Sequence, residues 1–593
     1  MSIVSLVKVT TYGMMREKPQ VLRDLQEFGC LHLMALNPTK EATKRGGPSS
    51  DARDALRFLR DCPNRRKQVK DRAKFNAVEV ERRALCLKSE IRALEDERDE
   101  IIDQIAIIKP WGDFTFATLE EMKNLRFWFY LVPHYQMKLV EATPLIWQVV
   151  KRDSRFCYVI VIAEQEPEGM LVPRVKIGHQ SLSELERRME EIDLRLDDLQ
   201  AERASLSRWA SLYASNLTGL ENLAAREEAE QQTYDDKELF ALQAWMPERD
   251  ISQLEEYALQ HHMALEICPP APNETPPTLL EEPAWFAMGK DLTLFYTTPG
   301  YYQWDPSLVV FFSFALFFAM IMADAGYALL LGGLLFFRWK QFAKREGSGK
   351  FDNLLIVIFL MSFIWGIMSG SLFGATPKVI ASYQVVKLHQ YDSMMTLSIL
   401  IGVIHLVIAN AGAFWTRRNS PEKWASAGWG GIISGGFFLW LGLKGQGSLP
   451  LKWLGIALML SGGGLAVWFS TIQKVWWKRL LGGLNASVPR LSGAFGDTLS
   501  YMRLFALGLA GASLSETFNQ LSSNLKDMRG IGMFAAVLVL LFGHALNFAL
   551  SLMGAVIHGL RLNYIEFFNW GMSEEGYLFK AFAAKQESAS WKD

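Results

Sequence analysis

Hydrophobic positions follow two different rhythms along the chain. From Met1 to about Trp304 they are interspersed with charges, and in two stretches they recur every three and four residues; from Pro306 to about Phe568 they gather into long runs separated by short basic loops. The first periodic stretch is Val80, Ala84, Leu87, Ile91, Leu94, Arg98, Ile101, Ile105 and Ile108. The second is Leu182, Leu185, Met189, Ile192, Leu196, Leu199, Arg203, Leu206, Ala210, Tyr213 and Leu217. This spacing lines one face of a helix and specifies a coiled coil, with one arginine in each seam. Between them, strand-like runs at 127–132 (FWFYLV) and 157–163 (CYVIVIA) predict a small distal α/β lobe over 110–179. A helix out over 68–109 and a helix back over 180–218 predict an antiparallel intramolecular hairpin, roughly 50 to 60 Å long. Dimerisation through the same seams is the alternative; the similar lengths of the runs, flanking one insertion, favour the hairpin. Segments 1–60 and 220–268 contain two strand–helix–strand patterns and predict one α/β lobe at the base of the arm. Six prolines between Pro269 and Pro283 then break regular structure and open a linker over 269–304.

In the second half, apolar runs at 353–373, 394–415, 427–443 and 453–472 have the length of membrane spans, whereas 306–337, 481–522 and 531–568 are too long for a perpendicular crossing. Loop charge orders them. Basic clusters at Arg338, Lys340, Lys344, Arg345 and Lys350, at Arg417, Arg418 and Lys423, and at Lys474, Lys478 and Arg479 should lie on the cytosolic side. If so, 306–337 crosses twice, turning near Asp324, Ala325 and Gly326, with arms short enough to need protein neighbours. A single long helix there would contradict the charge pattern. The last two segments read as long, tilted helices without an internal break. The fold expected is therefore an α-helical membrane bundle of eight spans over 305–570, joined to a cytosolic α+β domain with a coiled-coil arm (1–304) and followed by a short tail, 571–593.

Ionisable side chains inside spans are costly and mark functional positions. In the last segment His544, Asn547, Ser551, Gly554, His558 and Arg561 are spaced by three or four residues and share one helical face, a stripe about 25 Å long. Its bland explanation is polar glue between helices. The preceding segment carries Arg503, with Gly496, Ser500, Leu507 and Gly511 on its face. Asp324 at a hairpin tip, Asp497 on another face and Glu516 about 20 Å along the axis are poor partners for it, which predicts a carboxylate on another chain. That suits rotary ion transport. A carboxylate carried through lipid in its neutral, ion-bound form would ionise beside a fixed guanidinium and release its ion, and arginine would not lose its own proton. Two offset aqueous half-channels would feed the two sides of this barrier.

Composition adds mainly exclusions. Net charge is −1, and no basic patch interleaved with aromatics suggests nucleic acid. Five cysteines (Cys30, Cys62, Cys86, Cys157, Cys268) have no metal-ligand spacing. No phosphate-binding loop is found, and the N-terminus lacks a secretory signal, so the first half is expected in the cytosol.

The motif LSYMRLFALGLAGASLSE (499–516) resembles the seventh-span pattern of the a subunit, or subunit I, of vacuolar and archaeal/bacterial V/A-type ATPases, and HGLRLNYIEFF (558–568) resembles its eighth-span pattern. MADAGYA (322–328), IGVIHL (401–406), PPTLL (276–280) and AWMP (244–247) are similar to further family motifs, so the resemblance covers nearly the whole chain in a short bacterial form. It implies Arg503 and Arg561 as the ion-translocating arginines. His544, Asn547, Ser551, His558, Ser500, Glu516 and His405 would line half-channels, and Asp324 and Gly326 would form the hairpin motif. The sequence departs from the family at Ala323 and Ala328, where glycine is usual, at Ser551, a carboxylate in eukaryotic members, and at Gly511, a histidine in eukaryotic members. The resemblance also implies a non-catalytic stator in the bacterial inner membrane. Its partners would be a proteolipid c ring, peripheral-stalk E/G-type subunits, a central-stalk d/C-type subunit and the lipid bilayer, with no cofactor, metal or directly bound nucleotide. The competing classes are a self-contained secondary transporter with a regulatory coiled coil, which would carry its own carboxylate near the midplane, and a membrane-anchored scaffold.

Overall fold

The computed structural model describes residues 3–36, 47–114, 125–167, 170, 172–178, 180–342, 348–386, 390–444, 449–526 and 531–585. Lys344 and Arg345 of the first basic cluster and the end of the tail, 586–593, lie outside the described residues. The chain divides into two compact units, the larger built chiefly of Met1–Glu41 and Ala229–Ala584 and the smaller chiefly of Ala42–Glu228.

The larger unit opens with β1 (Leu6–Met14), α1 (Lys18–Phe28) and β2 (His32–Met34). Proline in the first turn of α1 and Gly29 in the left-handed region (φ 66°) after it supply its start and stop. The smaller unit holds α2 (Ser50–Arg60), α3 (Ala77–Ile108), β3 (Arg126–Pro133), α4 (Met137–Glu141), β4 (Ile146–Arg152), β5 (Phe156–Ala163), β6 (Arg174–Val175), α5 (Leu182–Leu206) and most of α6 (Ala210–Gln232). The chain then rejoins the larger unit with β7 (Tyr234–Asp236), β8 (Leu239–Pro247), α7 (Ile251–Gln260) and β9 (Ala264–Cys268). The two strand–helix–strand flanks merge into one antiparallel sheet of order β2-β8-β1-β9, with β7 also on β8, and Leu6 to Met14 run opposite Pro247 to Leu239.

In the smaller unit α3 and α5 form the antiparallel pair that the seams specify. Leu87, Ile91, Ile101 and Ile108 are buried with Leu185, Ile192, Leu196 and Leu199. Ion pairs Arg83–Glu202 (2.6 Å) and Arg188–Glu97 (2.9 Å) cross the seam, one residue number falling as the other rises. The seams are thus filled within one chain. Arg203 is accommodated by bonding Phe58 O through Nε (3.1 Å) and Nη2 (2.7 Å) and lying over the Phe58 ring. The sequence groups residues 50–60 with the base lobe; the structure instead packs Ala52, Ala55 and Leu59 of α2 against Val80, Ala84, Tyr213 and Leu217, because the apolar face of α2 matches the arm. A second antiparallel sheet, β4-β5-β3-β6, forms the distal lobe around Tyr130, Val132, Cys157, Val159 and Val161.

After the linker the larger unit continues with α8 (Ala287–Tyr296), α9 (Ser307–Met322), α10 (Ala325–Phe342), α11 (Ser348–Ser369), α12 (Lys378–Ala381), α13 (Tyr391–Thr416), α14 (Lys423–Leu443), α15 (Leu449–Phe469), α16 (Trp476–Ser500), α17 (Met502–Lys526) and α18 (Gly532–Arg561), which passes through a π-helical turn at Leu562–Phe567 into α19 (Phe568–Gly571). Among the described residues, five helices are long and apolar enough to cross a membrane: α11, α13, α14, α15 and the run from Gly532 to Gly571. α9 and α10 are shorter apolar helices.

Residues 306–337 are therefore two helices, broken where Ala323 takes φ 46° and Asp324 follows. Their arms do not pack along each other. α11 lies between them: Gly366 meets the tip so closely that a Cβ would collide with the Ala325 backbone nitrogen, Phe359 packs over Gly332 of α10, and at the other end of α11 Asn353 bonds Ala284 O beside Trp285, whose ring faces Phe311 of α9. α9 is buried on nearly every side, as a short arm requires, whereas α10 leaves Leu329, Leu330 and Leu334 exposed. The segment 481–522, expected to be unbroken, is interrupted at Tyr501, which keeps right-handed helical angles (φ −70°, ψ −16°). Finally, residues 572–584 return to the base lobe: Thr278 N–H donates to Tyr577 O (2.8 Å), Phe579 N–H to Thr278 O (3.1 Å), and Phe579 packs on Leu6 and Trp245. The C-terminal end of α18 and the base lobe thus lie on one side of the bundle.

Candidate functional site

α17 and α18 pack along each other, and their polar residues separate into two clusters at opposite ends of the pair. The cluster far from the base lobe is a hydrogen-bonded chain. Asn519 Nδ2 donates to Phe373 O (2.7 Å), which leaves its Oδ1 to accept from His544 Nε2–H (3.0 Å). His544 Nδ1 then accepts from Tyr327 O–H (2.9 Å), a tautomer assigned by these partners. Ser515 Oγ lies 3.0 Å from Tyr327 Oη, and Asn547 Nδ2 reaches Ser515 Oγ (2.6 Å) and Gly511 O (2.8 Å). A cavity of about 880 Å³ opens beside this chain, bordered by His544, Asn519, Gln520 and Glu516.

Asp324 sits behind Tyr327 and is fully engaged. Its Oδ1 accepts from the N–H groups of Gly326 (2.7 Å), Tyr327 (3.1 Å) and Phe373 (2.9 Å), and its Oδ2 from Ser371 O–H (2.5 Å) and Gly374 N–H (2.9 Å). It thereby caps the N-terminus of α10 and ties the hairpin tip to the loop after α11. Gly326 is required there, since a Cβ would lie 2.6 Å from the Phe373 ring.

The second cluster lies toward the base lobe and contains Arg503, His558, Arg561, Ser500 and Glu566. Arg503 Nη1 is buried and has no hydrogen-bond partner among the described residues, and no salt bridge to it is formed among them. His558 Nδ1 is buried and unpartnered in the same way. Glu566, 2% exposed, stands within electrostatic range of Arg503 and Arg561 and beside the Ser500 hydroxyl, but its Oε2 is also without a partner. Asp497 is occupied elsewhere, accepting from Trp570 Nε1–H (2.7 Å), and Arg490 lies over Trp570 and Trp429. Between the clusters Ser551 faces Gly511, where a Cβ would stand 3.2 Å from Ser551 Oγ. Along α17, Arg503 and Ser515 are twelve residues, or about 18 Å, apart.

The structure therefore splits the predicted stripe. His544 and Asn547 are bonded between helices, as the glue explanation expects, whereas His558 and Arg561 stand beside Arg503. His405, expected beside a half-channel, is instead sealed in the core: Nδ1 is 2.7 Å from Tyr501 Oη, the ring stacks on Phe567 (4.2 Å), and Nε2 is buried without a partner among the described residues. Tyr327, Ser515, Asn519 and Glu566 are the members that the sequence pattern does not single out. For Glu566 the reason is geometric. Five residues after Arg561, it would point about 140° away on an α-helix, and the π-helical turn at Leu562–Phe567 resets that register.

The chain is 25% identical to the V-type ATP synthase subunit I of Borreliella burgdorferi, over 98% of this chain and 99% of the relative. It is 28% identical to the protein of the same description in Chlamydia pneumoniae, over 86% of each. The chain is a homologue of V/A-type ATP synthase subunit I. The A-type ATP synthase subunit I of Methanocaldococcus jannaschii is 26% identical over 84% of this chain and 74% of the relative. No protein-family model matches the chain. A crystal structure of the cytoplasmic N-terminal domain of a subunit I aligns to 44% of it at 17% identity with a TM-score of 0.23. Among the described residues of this subunit I homologue, no group of three or more His, Cys, Asp or Glu could hold a metal ion.

Proposed function

We propose that the chain is the membrane stator subunit of a rotary V/A-type ATPase. It contributes two offset ion half-channels against a proteolipid c ring and couples H⁺ or Na⁺ movement to ATP hydrolysis or synthesis on other subunits. The observation that carries the reading is Arg503: a half-buried guanidinium whose Nη1 is buried and unbonded among the described residues, in the polar cluster toward the base lobe and about 18 Å from the other. Glu566 stands near this cation without bonding its Nη1, and a guanidinium left with an unpaired buried nitrogen is costly, which favours a carboxylate that arrives from outside the chain. Such an arriving acid would be held ionised while it faces Arg503 and would take up its ion again on leaving. The cluster around Glu566 and Ser500 suits the half-channel on the base-lobe side, and the His544–Tyr327–Ser515–Asn547 chain suits the one on the far side.

In this reading eight helical passes cross the inner membrane of a bacterial cell. α9 and α10 are the first two, α16 with α17 the seventh and α18 the eighth, with the base lobe, arm and tail cytosolic. The arm meets peripheral-stalk E/G-type subunits and the base lobe a central-stalk d/C-type subunit. Glu566 also supports a second reading, a self-contained transporter with its own carboxylate beside the arginine; its unbonded Oε2 weighs against a closed pair.

Isolation from native membranes separates the two readings, since only the stator reading expects ATPase and proteolipid subunits to accompany the chain. Within such a complex, Arg503→Ala and Arg503→Lys are expected to abolish ATP-driven ion pumping while assembly persists. Lysine fails because its compact point charge lacks the fixed planar fork and can give up its proton when desolvated. Coupled pumping at wild-type rate in either variant would refute the mechanism.

A further inference from the structure

The segment between α2 and α3, Cys62 to Phe75, has no helix or strand, yet its backbone is pinned to the smaller unit. Arg66 N–H donates to Ser207 Oγ (3.1 Å), Val69 N–H to Arg208 O (3.0 Å) and Gln68 Nε2 to Ser207 O (3.0 Å), while Gln68 Oε1 accepts from Ser211 N–H (3.0 Å). These bonds gather at the 3₁₀ turn Ser207–Trp209, where the returning arm helix breaks between α5 and α6. The side chains point the other way. Arg65, Arg66, Lys67, Lys70, Arg72 and Lys74 are all exposed, and none of them forms a salt bridge among the described residues. Asp71 is the only acid in this stretch, and its Oδ1 accepts from Ala73 N–H (2.9 Å). Arg65 and Arg66 also border a cavity of about 630 Å³ whose far side is Asp197, Gln200 and Arg203, the arginine that interrupts the seam.

Like charges held this close repel one another, and ordering the backbone removes their freedom to spread apart. The ribbon is therefore most stable opposite a row of negative charge. We propose that it docks an acidic segment of a neighbouring soluble subunit, with one carboxylate side chain seated in the cavity; this rests on the stator reading, in which the arm meets such subunits. Six exposed cations and one acid along fourteen residues make a narrow, linear strip, which fits an acidic polypeptide laid along it better than the broad surface of a bilayer. Nucleic acid would call for exposed aromatics among the basic residues, and between Arg65 and Lys74 there are none.

The test uses the whole complex in native membranes, with a photo-crosslinking residue at Lys67 or at Lys70. The expected product joins this chain to an Asp/Glu-rich peptide of a soluble subunit, and reversing the acids of that peptide to lysine should remove it. Arg65→Glu, Lys67→Glu and Lys70→Glu combined should weaken retention of that subunit roughly tenfold at moderate salt, with Gln at the same positions intermediate. Hydrogen exchange of α3 and α5 should stay unchanged in both triple variants, since the substituted side chains are exposed. Adducts with lipid or nucleic acid, no polypeptide adduct, or wild-type retention of the Glu variant at every salt concentration would overturn the proposal while leaving the stator reading intact. A chain that comes out of the membrane with no ATP synthase subunit would overturn both.

Discussion

Five hydrogen bonds converge on the Asp324 carboxylate, four of them from backbone N–H groups just past the hairpin tip or in the loop after α11. Arg503 is half-buried, and its buried Nη1 bonds to nothing among the described residues. Every acceptor site used on the first charge is filled from within the chain, which makes it part of the scaffold, whereas the second keeps one donor nitrogen open, as the proposed stator role requires. Asp324→Asn keeps the shape but turns one acceptor oxygen into a donor that faces donors. We expect it to lower stability by about 2–4 kcal/mol, the cost of leaving one or two buried groups unsatisfied, read as a lower unfolding temperature in detergent. An unchanged temperature would show that the convergence is not what holds the tip. Sequence spacing singles out both residues, but which of them is satisfied depends on contacts from α11 and its following loop, which spacing does not reveal. Glu566 escapes for a related reason, since helical arithmetic assumes 3.6 residues per turn and a π-turn breaks that assumption.

Among the helices, the stripe on α18 is one line in sequence and two environments in space. His544→Ala and Asn547→Ala remove bonds to Tyr327, Asn519 and Ser515 and should each cost about 1–2 kcal/mol of stability. His558→Ala removes no hydrogen bond at Nδ1, and should leave the unfolding temperature unchanged while altering the pH dependence of ion transport. If all three variants lost stability equally, the stripe would be packing throughout. The arm was far more legible, because a heptad seam reports directly on its partner face. Leu196, buried between α3 and α5, should cost about 2–5 kcal/mol as Leu196→Ala, seen as faster hydrogen exchange along both helices. The break at Tyr501 left no mark in the sequence, since neither Gly nor Pro is there and its backbone angles stay helical.

At the scale of the molecule, the larger unit joins base lobe, linker and helices, and Glu282 lies in that linker just ahead of α9. Burial, and after it the nearby Asp305 carboxylate, pushes its pKa from 4.5 to about 7; the Ser307 hydroxyl and the Lys290 backbone N–H also face it. A carboxyl whose folded pKa is raised favours the folded arrangement when protonated. Its contribution is therefore complete below about pH 4.5 and is lost as pH rises through 7. Amide protection factors across 280–307, with the intrinsic pH dependence of exchange divided out, should accordingly be higher at pH 5.5 than at pH 8, and Glu282→Gln should remove the difference; an undiminished difference in that variant would assign it to another group. The two-part architecture could be read from where the apolar runs begin. The return of residues 572–584 could not, because it rests on isolated backbone bridges to the linker at Thr278 and Pro299, which leave no periodic signature, and on the single ring of Phe579 against Leu6 and Trp245.

The placement of α11 between α9 and α10 bears on how the chain is made. Synthesis proceeds from α9 to α10 to α11, so the two arms exist before the helix that separates them. In their final seats they are not a closed pair, and each finds its main neighbour in the helix made after both. Gly366 is what allows that close seat, since any larger residue would strike the tip at Ala325. A chain ending before α11 would therefore keep both arms yet lack the wedge that holds them apart, and Gly366→Leu should leave α9 and α10 intact while spoiling the seat between them.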